Sequence, residues 1–169
     1  MKKIIALFFA VLFLFTAGCA KEKNFADAVT CEEIVDAVHS AGKAPNFEKY
    51  YRKSKNNLDS QTFSLWADGL YVECEDFDLL EDYAMFLGAG TETYEVVVLK
   101  AETNYDAQGM KELFERRKKT LAAGDKGMYD LNFEKKMENS VVEVVGEFAI
   151  FLVTDFNDDA VAAIEKLKE

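Results

Sequence analysis

Proline, histidine and tryptophan occur once each in this 169-residue chain, and cysteine three times. With Pro45 alone and no Ser- or Gly-rich stretch, there is no obvious internal linker, and no repeat is visible, so a single domain is the economical reading. With one histidine and no Cys-x-x-Cys spacing, the usual ligand sets for zinc are missing. No apolar run reaches the roughly 20 residues that a membrane-spanning helix needs. Basic residues are outnumbered, 20 against 31 acidic, for a formal net charge of -11. Such a surface repels phosphate backbones, which excludes nucleic acid as a partner.

What is present begins with a leader. Lys2 and Lys3 precede the unbroken apolar run Ile4 to Phe15, the pattern of a secretory signal peptide. The run ends in Thr16-Ala17-Gly18-Cys19, which resembles the lipobox of bacterial lipoproteins, with Thr16 where leucine is usual. This reading makes residues 1–18 a cleaved signal, Cys19 the acylated first residue, 19–26 a lipidated tether and 27–169 a single domain. Each buried acyl CH₂ contributes about 0.8 kcal/mol, so two or three chains hold the protein on the bilayer essentially permanently. Losing Lys2 and Lys3 with the leader takes the net charge from -11 to -13.

The remaining body is half apolar, enough to form a core rather than a disordered tail. Thr30 followed by Glu33 is a capping box, and Ile34, Val38 and Ala41 repeat at helical spacing up to Gly42. Asn46 to Lys55 reads as a short polar helix or turn. Phe63, Trp66, Ala67 and Leu70 fall at helical spacing, although Leu70 and Val72 also alternate as in a strand. Tyr83–Leu87 and Tyr94–Lys100 are β-rich runs separated by Gly88 and Gly90, a hairpin. Asp106 to Ala123 is the clearest helix, with Ala107, Met110, Leu113, Phe114 and Leu121 on one face and Gly124 as its stop. Val141–Val145 and Phe148–Thr154 flank the tight turn Gly146-Glu147. Asp158 to Lys168 closes as an amphipathic helix with Val161, Ile164 and Leu167 inward. The predicted class is α+β: a two-layer sandwich with a four-stranded antiparallel sheet in ββαββα order, helices on one face, and the N-terminal helix at the edge of that layer or against its helices.

The lipobox leader, the run Glu81-Asp82-Tyr83-Ala84-Met85-Phe86-Leu87, the segment Tyr94 to Ala101, the Arg-bearing helix, a loop with Tyr129 and the hairpin Val141 to Thr154 together resemble an uncharacterised lipoprotein domain family of clostridia and related Gram-positive bacteria. The resemblance covers Glu81 to Leu167 well and the preceding part loosely. It implies a small extracytoplasmic α+β domain on a Gram-positive-type membrane, and brings no activity, cofactor or catalytic residue with it.

Candidate chemistry is sparse. Cys31 and Cys74 are left as an even pair, either a disulfide or two free thiols. Glu73, Glu75, Asp76, Asp78, Glu81 and Asp82 could gather a hard cation, but Leu80 and Glu81 break the EF-hand spacing, so a solvated acidic turn is favoured. Asp155-Phe156-Asn157-Asp158-Asp159 starts like a calcium loop; lacking its glycine and twelfth-position glutamate, it reads as the cap of the last helix. His39 beside Ser40 gains no catalytic pairing from adjacency. Gly88-Ala89-Gly90 lacks the helix and lysine of a phosphate loop. Arg116 to Lys119 is the one cationic cluster, placed where a helix C-terminus collects such residues or where an anion could dock. Trp66 with Tyr50, Tyr51 and Tyr71 could stack on a wall glycan or peptide, or simply pack.

The expectation that results is a membrane-anchored, non-enzymatic binding or interaction domain on the extracytoplasmic face. It needs no cofactor or metal, and its possible contacts are Trp66, Tyr71, Arg116 and Arg117 toward an envelope protein or cell-wall component. The alternatives are a capture domain for a small molecule or divalent cation and, behind it, a cell-wall enzyme.

Overall fold

A computed structural model describes residues 25–45, 48–88, 91–124 and 129–168. The leader, Cys19 and most of the tether lie outside them. No helix among the described residues is long and apolar enough to cross a membrane.

The elements run α1 (Phe25–Ala28), α2 (Cys31–Ala41), β1 (Glu48–Arg52), α3 (Ser60–Asp68), α4 (Glu75–Asp78), β2 (Leu80–Gly88), β3 (Glu95–Ala101), α5 (Asn104–Ala123), α6 (Phe133–Glu138), β4 (Val141–Val145), β5 (Phe148–Val153) and α7 (Asn157–Lys166). The strands form one antiparallel sheet in the order β1-β2-β3-β5-β4.

The four expected strands are all present, and a fifth extends the sheet. Part of the segment read as a polar helix or turn is β1, paired with β2 from Glu48 opposite Gly88 to Arg52 opposite Ala84. The two-layer expectation is also corrected. Strand side chains alternate between two separate cores: Tyr83, Met85, Val97, Leu99, Phe151 and Val153 meet α3 and α5, while Ala84, Phe86, Val96, Val98, Ile150 and Leu152 meet α2 and α7. The sheet is therefore covered on both faces. The near-continuous apolar runs of β3 and β5 follow from this, since a strand buried on both sides has no solvent side to fill with polar residues.

α2 begins as the sequence predicts. Thr30 Oγ1 accepts the Glu33 N–H at 3.2 Å and Glu33 Oε2 accepts the Thr30 N–H at 2.8 Å, a reciprocal cap of the kind whose loss costs about 1 kcal/mol. Its apolar stripe of Ile34, Val35 and Val38 is fully buried, each such side chain contributing roughly 1.5–3 kcal/mol. Asp82 Oδ2 accepts the Cys31 N–H at 3.0 Å and ties the helix start to β2. Gly42 ends the helix where a Cβ would sit 2.4 Å from the Phe156 ring. Only glycine permits that approach between α2 and the entry to α7.

Cys31 and Cys74 are free thiols. Cys31 belongs to the α2–α7 core and Cys74 packs against the α3–α5 core. A disulfide needs Cα atoms within about 7 Å, and here the sheet stands between them.

Candidate functional site

Of the four predicted contact residues Trp66 lies on α3, Tyr71 just beyond its Gly69 cap, and Arg116 and Arg117 on α5. α3 is capped by Asp59, whose Oδ1 accepts the Thr62 N–H at 2.7 Å, and ends at Gly69 in the left-handed region, φ 74. α5 is capped by Thr103, whose Oγ1 accepts the Asp106 N–H at 3.1 Å. It continues to Ala123, so Arg116 and Arg117 are not at its C-terminus and no basic residue occupies its last turn. The macrodipole argument for the cationic run does not hold; tertiary partners explain the two arginines.

Arg117 points inward. Its Nε donates to Glu95 Oε2 at 2.9 Å, its Nη2 to Glu95 Oε1, and its Nη1 to the Trp66 carbonyl at 2.7 Å. Trp66 Nε1 donates to Glu95 Oε2 at 3.0 Å, and the guanidinium lies 5.5 Å from the Trp66 ring centroid. Trp66 and Glu95 are buried. Arg116 turns to the other side, with Nε to Asp68 Oδ1 at 2.8 Å and Nη2 to Asp76 Oδ2 at 2.6 Å. Thr120 Oγ1 also donates to the Ala67 carbonyl at 3.0 Å.

These contacts hold a loop. Asp68 and Asp76 flank residues 69–75, and Arg116 grips both ends. Between them Ser60 Oγ accepts the Cys74 N–H at 2.7 Å, while Cys74 and Phe77 pack inward. The outer side of this pinned segment is apolar: Leu70 is 59% exposed, Tyr71 64% and Val72 52%. With Leu65 and Leu79, five of the eight exposed large apolar side chains among the described residues fall between positions 65 and 79. Of the four predicted residues, then, Tyr71 is on the surface, while Trp66, Arg116 and Arg117 position the segment that carries it. Leu70 and Val72 enter the sequence reading only as positions in a pattern, and Leu65 and Leu79 not at all, because periodicity marks apolar residues without showing which remain uncovered.

The neighbouring carboxylates are committed elsewhere. Asp76 is held by Arg116, Glu81 by Lys100 at 3.0 Å, and Asp82 by the N–H groups of Cys31 and Tyr83. Glu73, Glu75 and Asp78 are exposed and rim the apolar loop. Among the described residues no three His, Cys, Asp or Glu side chains gather as a metal site.

A polar pocket of about 270 Å³ opens between α6 and the start of α7, lined in part by Lys135, Lys136, Asp155, Phe156, Asp158 and Asp159. The Lys136 ammonium is buried and already has three acceptors: the Thr93 carbonyl at 3.1 Å, Asp130 Oδ2 at 3.1 Å and Asp155 Oδ2 at 3.2 Å. Asp158 and Asp159 occupy the first turn of α7, where they complement its dipole. Asn157 does not cap the helix; its Oδ1 accepts from the Thr154 N–H and hydroxyl, and its Nδ2 donates to the Asn139 carbonyl.

Ser40 donates to the Ala37 carbonyl at 2.7 Å, so its hydroxyl is turned onto its own helix. His39 instead stands edge-on to Phe86 with ring centroids 4.2 Å apart, beside Tyr50 and Tyr94. Burial pushes its pKa below the ordinary imidazole value against the pull of Asp36 and Glu48. A histidine whose folded pKa is depressed contributes stability that is complete above about pH 6.5 and is lost as pH falls through the folded value. As the only histidine in the chain, His39 gives a clean expectation. Urea midpoints should decrease from pH 7.5 to 5.5, and His39→Gln should flatten that slope. An equal slope in both proteins would assign the effect elsewhere.

Comparison with protein-family models, curated proteins and solved structures finds no match to this chain.

Proposed function

We propose that this chain is a lipid-anchored extracytoplasmic binding domain, resembling the clostridial lipoprotein family, that holds a protein or cell-wall component near the membrane without catalysing a reaction. Residues 1–18 direct export, acylated Cys19 fixes the domain to the bilayer, and the 65–79 surface meets the partner. The observation that carries this reading is the exposed Leu70-Tyr71-Val72 loop, clamped at Asp68 and Asp76 by Arg116. Exposed apolar side chains clustered on one surface mark interaction sites, and a loop already held in place loses little further entropy on binding. The carboxylate rim of Glu73, Glu75 and Asp78 favours a partner with apolar and cationic side chains together.

The test is in-cell crosslinking of the lipidated protein, comparing parent and Leu70→Ser/Tyr71→Ser. Both side chains are outside the core, so the double variant should unfold within about 0.5 kcal/mol of the parent yet lose the captured partner. Recovery of the same partner from both proteins would overturn the assignment of this surface. A second reading, capture of a small polar molecule or divalent cation, draws on the pocket between α6 and α7. A saturable rise in melting temperature with added Ca²⁺ or a metabolite, lost in Asp155→Asn, would support it.

A further inference from the structure

The two edges of the sheet are finished differently. On the outer side of β1 the Asn57 side chain takes the place of a missing strand: its Oδ1 accepts the Arg52 N–H at 2.7 Å and its Nδ2 donates to the Tyr50 carbonyl at 2.8 Å. Glu48, Lys49 and Arg52 add charge there, the common way of blunting an edge.

Among the described residues no side chain caps the outer edge of β4, and it carries a single charge, Glu143, at its centre. Its hydrogen-bonding phase follows from its neighbours. The Ala101 N–H donates to the Glu147 carbonyl, which sets the odd residues of β5 toward β3 and the even ones toward β4. Phe148, Ile150 and Leu152 therefore bond Val145, Glu143 and Val141, their register partners, consistent with the two-residue turn at Gly146-Glu147. The N–H and C=O groups of Val142 and Val144 consequently point outward. Among the described residues neither has a partner.

We infer that β4 pairs with β4 of a second copy of this chain, antiparallel and centred on Glu143, to give a continuous ten-stranded sheet. The strand reads Val-Val-Glu-Val-Val in either direction, so a twofold axis through Glu143 places Val142 opposite Val144 and Val141 opposite Val145. Val142 and Val144 exchange four hydrogen bonds across the axis. Each face of the new pair continues one already present, since Val142 and Val144 pack on the α3–α5 side and Val141 and Val145 on the α2–α7 side. The axis runs perpendicular to the sheet and keeps the α2–α7 layers of both copies on one side. Phe25, packed 5.5 Å from Phe148 in that layer, sets the first described residues of both copies on the same side, the arrangement that the anchoring proposed above calls for. The two Glu143 carboxylates face each other, and like charges directly opposite weaken a strand pair, which makes the association reversible.

The register gives a sharp test in the full chain in its native membranes. Residues on the axis form a non-hydrogen-bonded pair with side chains about 4.5–5.5 Å apart at Cβ, so Glu143→Cys should crosslink to a dimer with a mild oxidant, above the background of the parent with its own thiols. Val142→Cys, which faces Val144 and lies two residues out of register with its own counterpart, should crosslink weakly. Adding Val144→Pro to Glu143→Cys removes an outward N–H that β5 does not use, and should abolish the dimer while circular dichroism and the melting curve stay those of a folded protein. Glu143→Gln should tighten association about two- to fivefold by removing the opposed charges. No dimer from Glu143→Cys, equal crosslinking from Val142→Cys, or a dimer that survives Val144→Pro in a folded chain would overturn the proposal, the last two pointing to another contact surface.

Discussion

Replacing Arg117 with alanine is expected to lower the unfolding free energy by about 3–5 kcal/mol, the range for removing one partner of a buried ion pair. The side chains of Arg117 and Glu95 are 12% and 2% exposed, and both Glu95 oxygens accept from the guanidinium. Without it, Glu95 keeps only the Trp66 indole N–H, and its charge remains in the apolar layer between sheet and helix. The loss arises from the stranded carboxylate more than from the missing attraction, which gives a second expectation: Glu95→Gln combined with Arg117→Met should be more stable than Arg117→Ala alone, because the amide oxygen still accepts from Trp66 without charge. Arg116 is the internal contrast. It is 41% exposed, with partners at 26% and 38%, and Arg116→Ala should cost no more than about 1 kcal/mol. Urea denaturation of the four proteins decides the matter; equal costs for Arg116→Ala and Arg117→Ala would show that burial does not set the scale here.

Lys136→Met is expected to be about as damaging, about 3–5 kcal/mol, for the same physical reason in another place. The Lys136 and Asp130 side chains are 3% and 4% exposed. Methionine fills the volume but leaves Asp130 and the Thr93 carbonyl without the ammonium. Burial opposes the charge on Asp130, yet the Thr93 and Asn132 N–H groups and Lys136 outweigh it and hold the carboxyl below its usual range. A depressed carboxyl contributes stability above the ordinary value near 3.9 and loses it as pH falls through the folded value. The acid side of the stability profile should therefore be steeper in the parent than in Lys136→Met, and Asp130→Asn should restore part of the loss in the Lys136→Met background. A Lys136→Met protein as stable as the parent would show that the buried pair with Asp130 adds no net stability over an apolar side chain of similar volume.

Local signals in the sequence carried the elements whose causes are local. The Thr30–Glu33 box is satisfied within one helical turn, the Gly146-Glu147 turn closes a hairpin between strands adjacent in sequence, and the apolar face of α5 repeats along its own axis. What stayed illegible depends on distant partners. β1 is Glu-Lys-Tyr-Tyr-Arg, a polar edge whose strand character comes from β2, more than thirty residues away. The near-continuous apolar runs of β3 and β5 are the signal for cover on both faces, which the two-layer expectation did not use. Arg116 and Arg117 are consecutive, so α5 turns them about 100° apart. One meets the aspartates at the ends of a loop and the other meets Glu95, pairings that no spacing along the chain encodes. The exposed loop was half legible: Tyr71 stood out as an aromatic, but its exposure depends on what α3 and α5 leave uncovered.

The packing of α2 against α7 sets an order of events. A chain delivered end first, from a ribosome or through an export channel, presents Ile34, Val35 and Val38 early and the helix that covers them last. β2 and β3 can cover part of that stripe once Ala101 has emerged, but the layer it belongs to stays open until α7 arrives near the end of the polypeptide. α3 and α5 reach their side of β2 and β3 far sooner. The second layer is thus the late one, and the interval before it closes is when holding chaperones or stray strands would find the chain.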